Sequence, residues 1–202
     1  ITIPTLCHHK ALDPAGMCRI CTVEMFDGRR SKYVTACNYP IWEGMEVFTD
    51  TESVTKGRKL IVELLLARCP DVPVLKDLAG KYGISESRFV PEGDDCILCG
   101  LCVRICEKMG NNAISLTGRG VEMKVDTPFH AQTEFCMGCG SCASVCPTGH
   151  IKLEDIAVHQ VQPILSEYDM GLKGRKPIYV PYAQAIPNIP AIDRDMCVHY
   201  KT

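Results

Sequence analysis

Apolar and polar residues alternate from Arg19 to Phe26 and again from Lys32 to Cys37, with Asp27-Gly28 between them. A period of two predicts half-buried strands, and Asp-Gly is a turn signal, so the pattern predicts a hairpin. Val47 to Thr49 reads as a further short strand. From Thr51 the period lengthens to that of a helix. Thr51 is a good N-cap, Val54, Leu60, Ile61, Leu64 and Leu65 form an apolar stripe reaching about Arg68, Gly57 weakens it and Pro70 stops it. A second helix is predicted over Val74 to Tyr82, with Leu75, Leu78, Ala79 and Tyr82 on one face and Gly83 at its end. Val121 to Val125 reads as a strand. From Ala157 onward Pro163, Pro177, Pro181, Pro187 and Pro190 interrupt any period. This predicts an extended tail that lies on another surface, with Tyr168, Tyr179 and Tyr182 as docking aromatics.

Cysteine usage changes the picture. The chain has 202 residues and 14 cysteines, and twelve of these fall into three sets of four. Cys96, Cys99, Cys102 and Cys106 read C-x2-C-x2-C-x3-C, and Cys136, Cys139, Cys142 and Cys146 repeat that spacing and run into Pro147. Cys7, Cys18, Cys21 and Cys37 read C-x10-C-x2-C-x15-C. Disulfide scaffolds belong mainly to short secreted chains. Cysteines bunched as C-x2-C suit a shared metal centre better. Zinc needs two such pairs at a distance, not triplets followed by x3-C. The formal charge of −2 gives no footprint for nucleic acid. The strongest apolar run, Leu60 to Ala67, is interrupted by Glu63 and falls far short of the roughly 20 residues of a membrane span. A cytoplasmic location is the expectation.

A cubane cluster offers four iron corners, and C-x2-C-x2-C lets one tight loop reach three of them. In bacterial two-cluster ferredoxins the last cysteine of each run ligates the other cluster. The spacing therefore assigns Cys96, Cys99, Cys102 and Cys146 to one [4Fe–4S] cluster, and Cys106, Cys136, Cys139 and Cys142 to another. Gly100, Gly138 and Gly140 permit the tight loops. Ile97, Leu98, Leu101, Val103, Ile105, Met137 and Val145 supply an apolar shell that doubles as core. Glu107 stands where the first run would carry a proline. The first set is less familiar, since plant-type ferredoxins use C-x4-C-x2-C. Cys7, Cys18 and Cys21 would line a loop freed by Pro14-Ala15-Gly16, and Cys37 would end the hairpin strand.

Pro4-Thr5-Leu6-Cys7-His8-His9, Gly16-Met17-Cys18-Arg19-Ile20-Cys21-Thr22-Val23-Glu24, Ala36-Cys37 and Glu43-Gly44-Met45 resemble the [2Fe–2S] domain of the large iron–sulfur subunit of respiratory complex I. They also resemble the corresponding diaphorase small subunit of NAD-reducing hydrogenases. The likeness runs through Cys96-Ile97-Leu98-Cys99-Gly100-Leu101-Cys102-Val103-Arg104 and Gly118-Arg119-Gly120 and ends at Cys146-Pro147-Thr148-Gly149. It implies that Cys7, Cys18, Cys21 and Cys37 hold a [2Fe–2S] cluster in a β-grasp ferredoxin domain whose opening hairpin would precede Ile1. Relatives often hold a cluster through one histidine and three cysteines between the two domains. Here Leu64 to Tyr82 offers only Cys69, so that cluster is expected to be absent and Cys69 to be a small buried hydrophobe. His8 and His9 are expected to be surface or packing residues. A second resemblance covers the tail. Glu167-Tyr168-Asp169, Arg175-Lys176-Pro177-Ile178-Tyr179-Val180-Pro181 and Gln184-Ala185-Ile186-Pro187-Asn188-Ile189-Pro190 look like a stretch of the flavoprotein component of heterodisulfide reductase. In that family the stretch precedes another ferredoxin-type site, which would make Cys197 the first ligand of a further cluster.

The fold expected is α+β. A truncated β-grasp [2Fe–2S] ferredoxin domain occupies 1–50, a helical connector 51–90, a two-[4Fe–4S] bacterial-ferredoxin-like domain 91–156 and an extended docking tail 157–202. There is neither a G-x-G-x-x-G between strand and helix nor a P-loop, so FAD or FMN is expected in a partner or a missing segment. No complete catalytic site is present. The two resemblances together point to an electron-transfer component of a flavin-based electron-bifurcating complex in an anaerobe. Its partners would be a flavoprotein, a heterodisulfide-reductase-like component, a hydrogenase or a formate dehydrogenase. Two alternatives are the N-terminal part of a flavoenzyme like the heterodisulfide reductase flavoprotein and a diaphorase-type hydrogenase subunit. A cluster-based redox sensor is disfavoured by the lack of any DNA-binding element.

Overall fold

The computed structural model describes residues 2–130, 133, 135–136, 138–154, 178–179, 191–192 and 194. The chain divides into two compact units. One comprises Ile1–His8, Pro14–Cys99 and Pro147–His150, the other His9–Asp13, Gly100–Cys146 and Ile151–Thr202. Helices and small antiparallel sheets alternate along the chain, an α+β arrangement.

In the first unit the predicted hairpin forms. Strand β1 (Thr22–Phe26) pairs antiparallel with β2 (Ser31–Thr35), and on its other edge with β3 (Glu46–Phe48), giving the order β2-β1-β3. Val23 lies opposite Val34 and Glu24 opposite Tyr33. The alternation works as expected: Val23, Met25 and Val34 form a core, against which Ile3, Ala36, Tyr39 and Met45 pack. Asp27 closes the turn, its carboxylate accepting the amides of Arg29 and Arg30 at 3.0 Å each. The strand begins later than its pattern suggests. Arg19 takes a left-handed conformation with φ 60, and its carbonyl accepts the Thr22 amide at 3.1 Å. Residues 19–21 thus belong to a turn.

Helix α1 (Glu52–Arg68) starts where Thr51 caps it, the hydroxyl oxygen accepting the Val54 amide at 3.3 Å. The same hydroxyl donates to Glu24 at 3.0 Å and ties the helix start to β1. The buried face differs from the expected stripe. Val54, Arg58, Val62 and Leu66 face inward at a spacing of four, whereas Leu60 and Leu64 are 43% and 50% exposed. Arg58 is the cause. Its guanidinium donates twice to the Thr22 carbonyl, at 2.7 and 3.0 Å. Apolar counting cannot see a buried arginine, so it places the stripe on the wrong side. Helix α2 (Pro73–Lys81) buries Leu75, Leu78 and Ala79. It ends at Gly83, φ +66, where the Ile84 amide bonds back to the Ala79 carbonyl at 3.0 Å.

The second unit contains helix α3 (Leu101–Lys108), a hairpin of β4 (Ser115–Thr117) and β5 (Lys124–Asp126), and the single turn α4 (Ser141–Ser144), which packs against α3. Leu101, Ile105, Met109, Ala113 and Val145 are buried. The strand expected over Val121 to Val125 is corrected. Gly120–Glu122 forms a 3-10 turn and Val121 is 86% exposed, so only the end of that run joins the hairpin. Within the tail, β6 (Ile178–Tyr179) pairs antiparallel with β7 (Ala191–Ile192). Tyr168, Tyr182, Cys197 and Met137 lie outside the described residues. Among the described residues no helix is long and apolar enough to cross a membrane.

Candidate metal centres

The loop before β1 and the end of β2 bring the first thiol set together. Cys7, Cys18 and Cys21 are buried and Cys37 is half-buried. The Cys18 amide donates to the Cys7 sulfur at 3.3 Å. Contact with Cys7, then burial, pushes the Cys18 thiol far above its ordinary range, against opposing backbone bonds at Ile20 and Leu6. Burial, then contact with Cys21 and the nearness of Cys7, pushes the Cys37 thiol up to about 11, while a backbone bond from Gly16 opposes this. Gly16 suits the wrap. Its φ is +65, and a Cβ there would stand 2.8 Å from the Asn38 amide nitrogen. Asn38 is in turn held by the Thr35 hydroxyl, which donates to it at 2.5 Å.

The second gathered set is Cys106, Cys136, Cys139 and Cys142. Cys106, near the end of α3, accepts the Ala113 amide on its sulfur at 3.2 Å. Burial raises its thiol, and the neighbouring Cys139 and Cys136 raise it further. Burial likewise pushes Cys142 up to about 11, helped by Cys139, Cys106 and Cys136. The last cysteine of the first run therefore stands beside the first three of the second run. Cys139 is exposed, and its sulfur lies 3.4 Å from the Ser141 hydroxyl.

Cys99 and Cys102 are buried, while Cys96 and Cys146 are half-buried. Cys96 and Cys99 belong to the first compact unit, Cys102 and Cys146 to the second. Two residues outside the spacing pattern hold the start of this run. Arg68 donates to the Cys96 carbonyl at 2.7 Å and to Asp94 at 2.8 Å. Asp94 accepts the Asp95 and Cys96 amides at 2.7 and 3.0 Å. Against the cost of burial, these bonds and Arg68 hold the Asp94 carboxyl below its usual range. Basic and acidic residues flanking a cysteine run carry no periodic signal, so the sequence did not single them out. Cys69 is fully buried at the end of α1. Burial pushes its thiol up to about 12, with Asp94 beside it. His8 is exposed and His9 half-buried, its ring accepting the Ala11 amide at 3.2 Å.

The two runs match at two backbone positions. Gly100 (φ 68) and Gly140 (φ 73) cap α3 and α4. Two residues earlier in each run the chain is again left-handed, at Leu98 (φ 53) and Gly138 (φ 63). Glycine takes this conformation freely, whereas it costs a leucine about 1–2 kcal/mol.

In each gathered set two thiols, Cys18 and Cys37 in one and Cys106 and Cys142 in the other, are raised by burial and by neighbouring thiols, so ionising them is unfavourable without a cation. Metal coordination relieves that, because a coordinating thiol is deprotonated outright. The described cysteines are not joined in disulfides. The donor sets fit iron–sulfur clusters, with amide bonds to sulfur of the kind that surrounds them.

Fold and thiol sets together define a protein of two successive ferredoxin-type domains. Residues 1–52 match a 2Fe-2S iron-sulfur cluster binding domain and residues 90–153 a 4Fe-4S dicluster domain. The chain is 35% identical to the alpha subunit of the NADPH-Fe(3+) oxidoreductase of Geobacter sulfurreducens, over 74% of this chain and 20% of that protein. It is 30% identical to the mitochondrial NADH-ubiquinone oxidoreductase 78 kDa subunit of Candida albicans, over 74% of this chain and 24% of the relative. It thus spans about a fifth to a quarter of the length of these curated relatives. Among solved structures, a chain of the NAD+-reducing [NiFe]-hydrogenase in the H2-reduced state superposes with a TM-score of 0.55 at 30% identity, over 62% of this chain and 63% of that one. The chain thus carries a 2Fe-2S-type and a 4Fe-4S dicluster-type domain, and it is similar to the 78 kDa subunit of NADH-ubiquinone oxidoreductase and to a chain of the NAD+-reducing [NiFe]-hydrogenase.

Proposed function

We propose that the chain is the electron-relay segment of a multisubunit NADH- or NADPH-linked oxidoreductase or hydrogenase-type complex. In this reading Cys7, Cys18, Cys21 and Cys37 hold one [2Fe–2S] cluster. Cys96, Cys99, Cys102 and Cys146 hold one [4Fe–4S] cluster, and Cys106, Cys136, Cys139 and Cys142 a second. When bound, such clusters supply one-electron transfer at potentials set by cluster charge, hydrogen bonds to sulfur and solvent exposure. The chain contributes thiolates, amide donors and an apolar shell. A flavin site in a partner or in a further segment of the same protein exchanges electrons with this relay. On the far side stands a heterodisulfide-reductase-like component, a hydrogenase or a formate dehydrogenase. Flavin-based electron bifurcation in an anaerobe is the finer reading, drawn from the likeness of residues 167–190 to the heterodisulfide reductase flavoprotein. A diaphorase-type hydrogenase subunit is the alternative, favoured by the structural likeness to the NAD+-reducing hydrogenase. The cytoplasm is the compartment proposed, and Cys197 is the proposed first ligand of a further cluster.

One observation carries this reading: two separate sets of four thiols, each drawn together inside one compact unit. The test is EPR and iron analysis on anaerobically prepared protein. One [2Fe–2S] and two [4Fe–4S] signals are expected on reduction, with about ten irons per chain by ligand count. Iron near four per chain would sink the three-cluster assignment.

A further inference from the structure

The two cysteine runs match at two backbone positions and differ in their side chains. In the order Cys96-Ile97-Leu98-Cys99-Gly100-Leu101-Cys102 and Cys136-Met137-Gly138-Cys139-Gly140-Ser141-Cys142, the second run puts glycine for Leu98 and serine for Leu101. Both runs are left-handed at the same two positions, φ 53 with φ 63 and φ 68 with φ 73. Leu98 is half-buried and is kept in a conformation that glycine adopts freely, so its side chain is retained against backbone preference. Leu101 is 3% exposed. The first run therefore carries two leucines at positions where the second has no side chain and a hydroxyl.

That hydroxyl is placed to act. The Ser141 oxygen lies 3.4 Å from the Cys139 sulfur. A thiol could donate across this gap, but a sulfur that ligates iron carries no proton. In the ligated state the serine must be the donor. A hydrogen bond to a ligating sulfur and access to water both favour the more negative, reduced state. Cys139 has both, since it is also exposed.

We infer that Ser141 raises the reduction potential of the cubane site held by Cys106, Cys136, Cys139 and Cys142 by donating to the Cys139 sulfur. This rests on the relay proposed above and deepens it. Reduction of this site moves no proton at Ser141, because the hydroxyl keeps its hydrogen in both states.

The test is a potentiometric EPR series on the anaerobically purified holo-protein, with dithionite as the one-electron source. The unmodified protein should show two cubane waves, and Cys139→Ala identifies the wave of this site by removing it. Ser141→Ala should lower that wave by about tenfold in equilibrium constant, about 59 mV for one electron, and leave the other wave in place. Ser141→Thr, which keeps the hydroxyl, should retain the original value. The inference is overturned if Ser141→Ala moves neither wave, if it moves the wave that survives in Cys139→Ala, or if Thr behaves as Ala does. Fewer than two cubane signals in the unmodified protein would instead overturn the proposed function, and this inference with it.

Discussion

The N-terminal thiol set and the set around Cys139 use the same ligand chemistry in different surroundings. Cys7, Cys18 and Cys21 keep only 2%, 8% and 2% of their surface, whereas Cys139 is exposed and Cys106, Cys136 and Cys142 are half-buried. The first set leans on a sheet whose inner residues Val23 and Met25 are sealed, and α1 is pinned to that sheet through Arg58 and Thr51. The second set hangs from two short helices and glycine turns. A closed apolar shell limits solvent access, and an open one admits it. One chain thus pairs a protected site with one that opens on its surroundings, as a relay needs if electrons are to leave it.

Single ligand removals test that separation most severely. Cys18→Ala should abolish the two-iron signal, leave both cubane signals and lower the iron content from about ten to about eight per chain. Cys139→Ala should do the converse, removing one cubane signal while the two-iron signal stays. Loss of all signals in either variant would mean that the two halves do not hold their centres independently. Next in size is the response to attack. Under an iron chelator or a pulse of air, the cubane signal that Cys139→Ala removes should bleach first and the two-iron signal persist, followed by EPR against time. Equal rates would erase the contrast in burial.

Arg58→Met probes what seals the first set. It removes charge-assisted bonds to the Thr22 carbonyl, at a cost of about 1.5–3 kcal/mol, read as a lower midpoint in thermal or denaturant unfolding. An unchanged midpoint would show that the arginine is incidental to the fold. The smallest effect belongs to Gly16→Ala. Asn38 is an exposed residue and can move aside, so the cost is mainly the left-handed backbone, about 1–2 kcal/mol. The two-iron signal should survive, with a modest loss of stability.

Much of this was legible along the chain. The hairpin followed from alternation around Asp27-Gly28, and the start of α1 from Thr51. The end of α2 followed from Gly83. These are local effects, set by residues within a few positions of each other. The cysteine spacings are local in the same sense: a run of C-x2-C-x2-C constrains where three sulfurs can point. The helices α3 and α4 were not legible, because Leu101–Lys108 and Ser141–Ser144 are short and their cysteines interrupt any apolar period. The expected strand at Val121 failed because a 3-10 turn takes those residues.

Sequence alone determined the identity of the thiols and the turns that carry them, since covalent spacing and backbone preference act over short range. Only the tertiary structure decided which face of α1 turns inward, that Arg68 and Asp94 clamp the backbone at Cys96, that Cys106 stands beside Cys136, Cys139 and Cys142, and that Ser141 meets a sulfur. Those outcomes depend on side chains, many of them distant in the chain, arriving at one place. Burial and hydrogen bonding are properties of that meeting and not of any one segment.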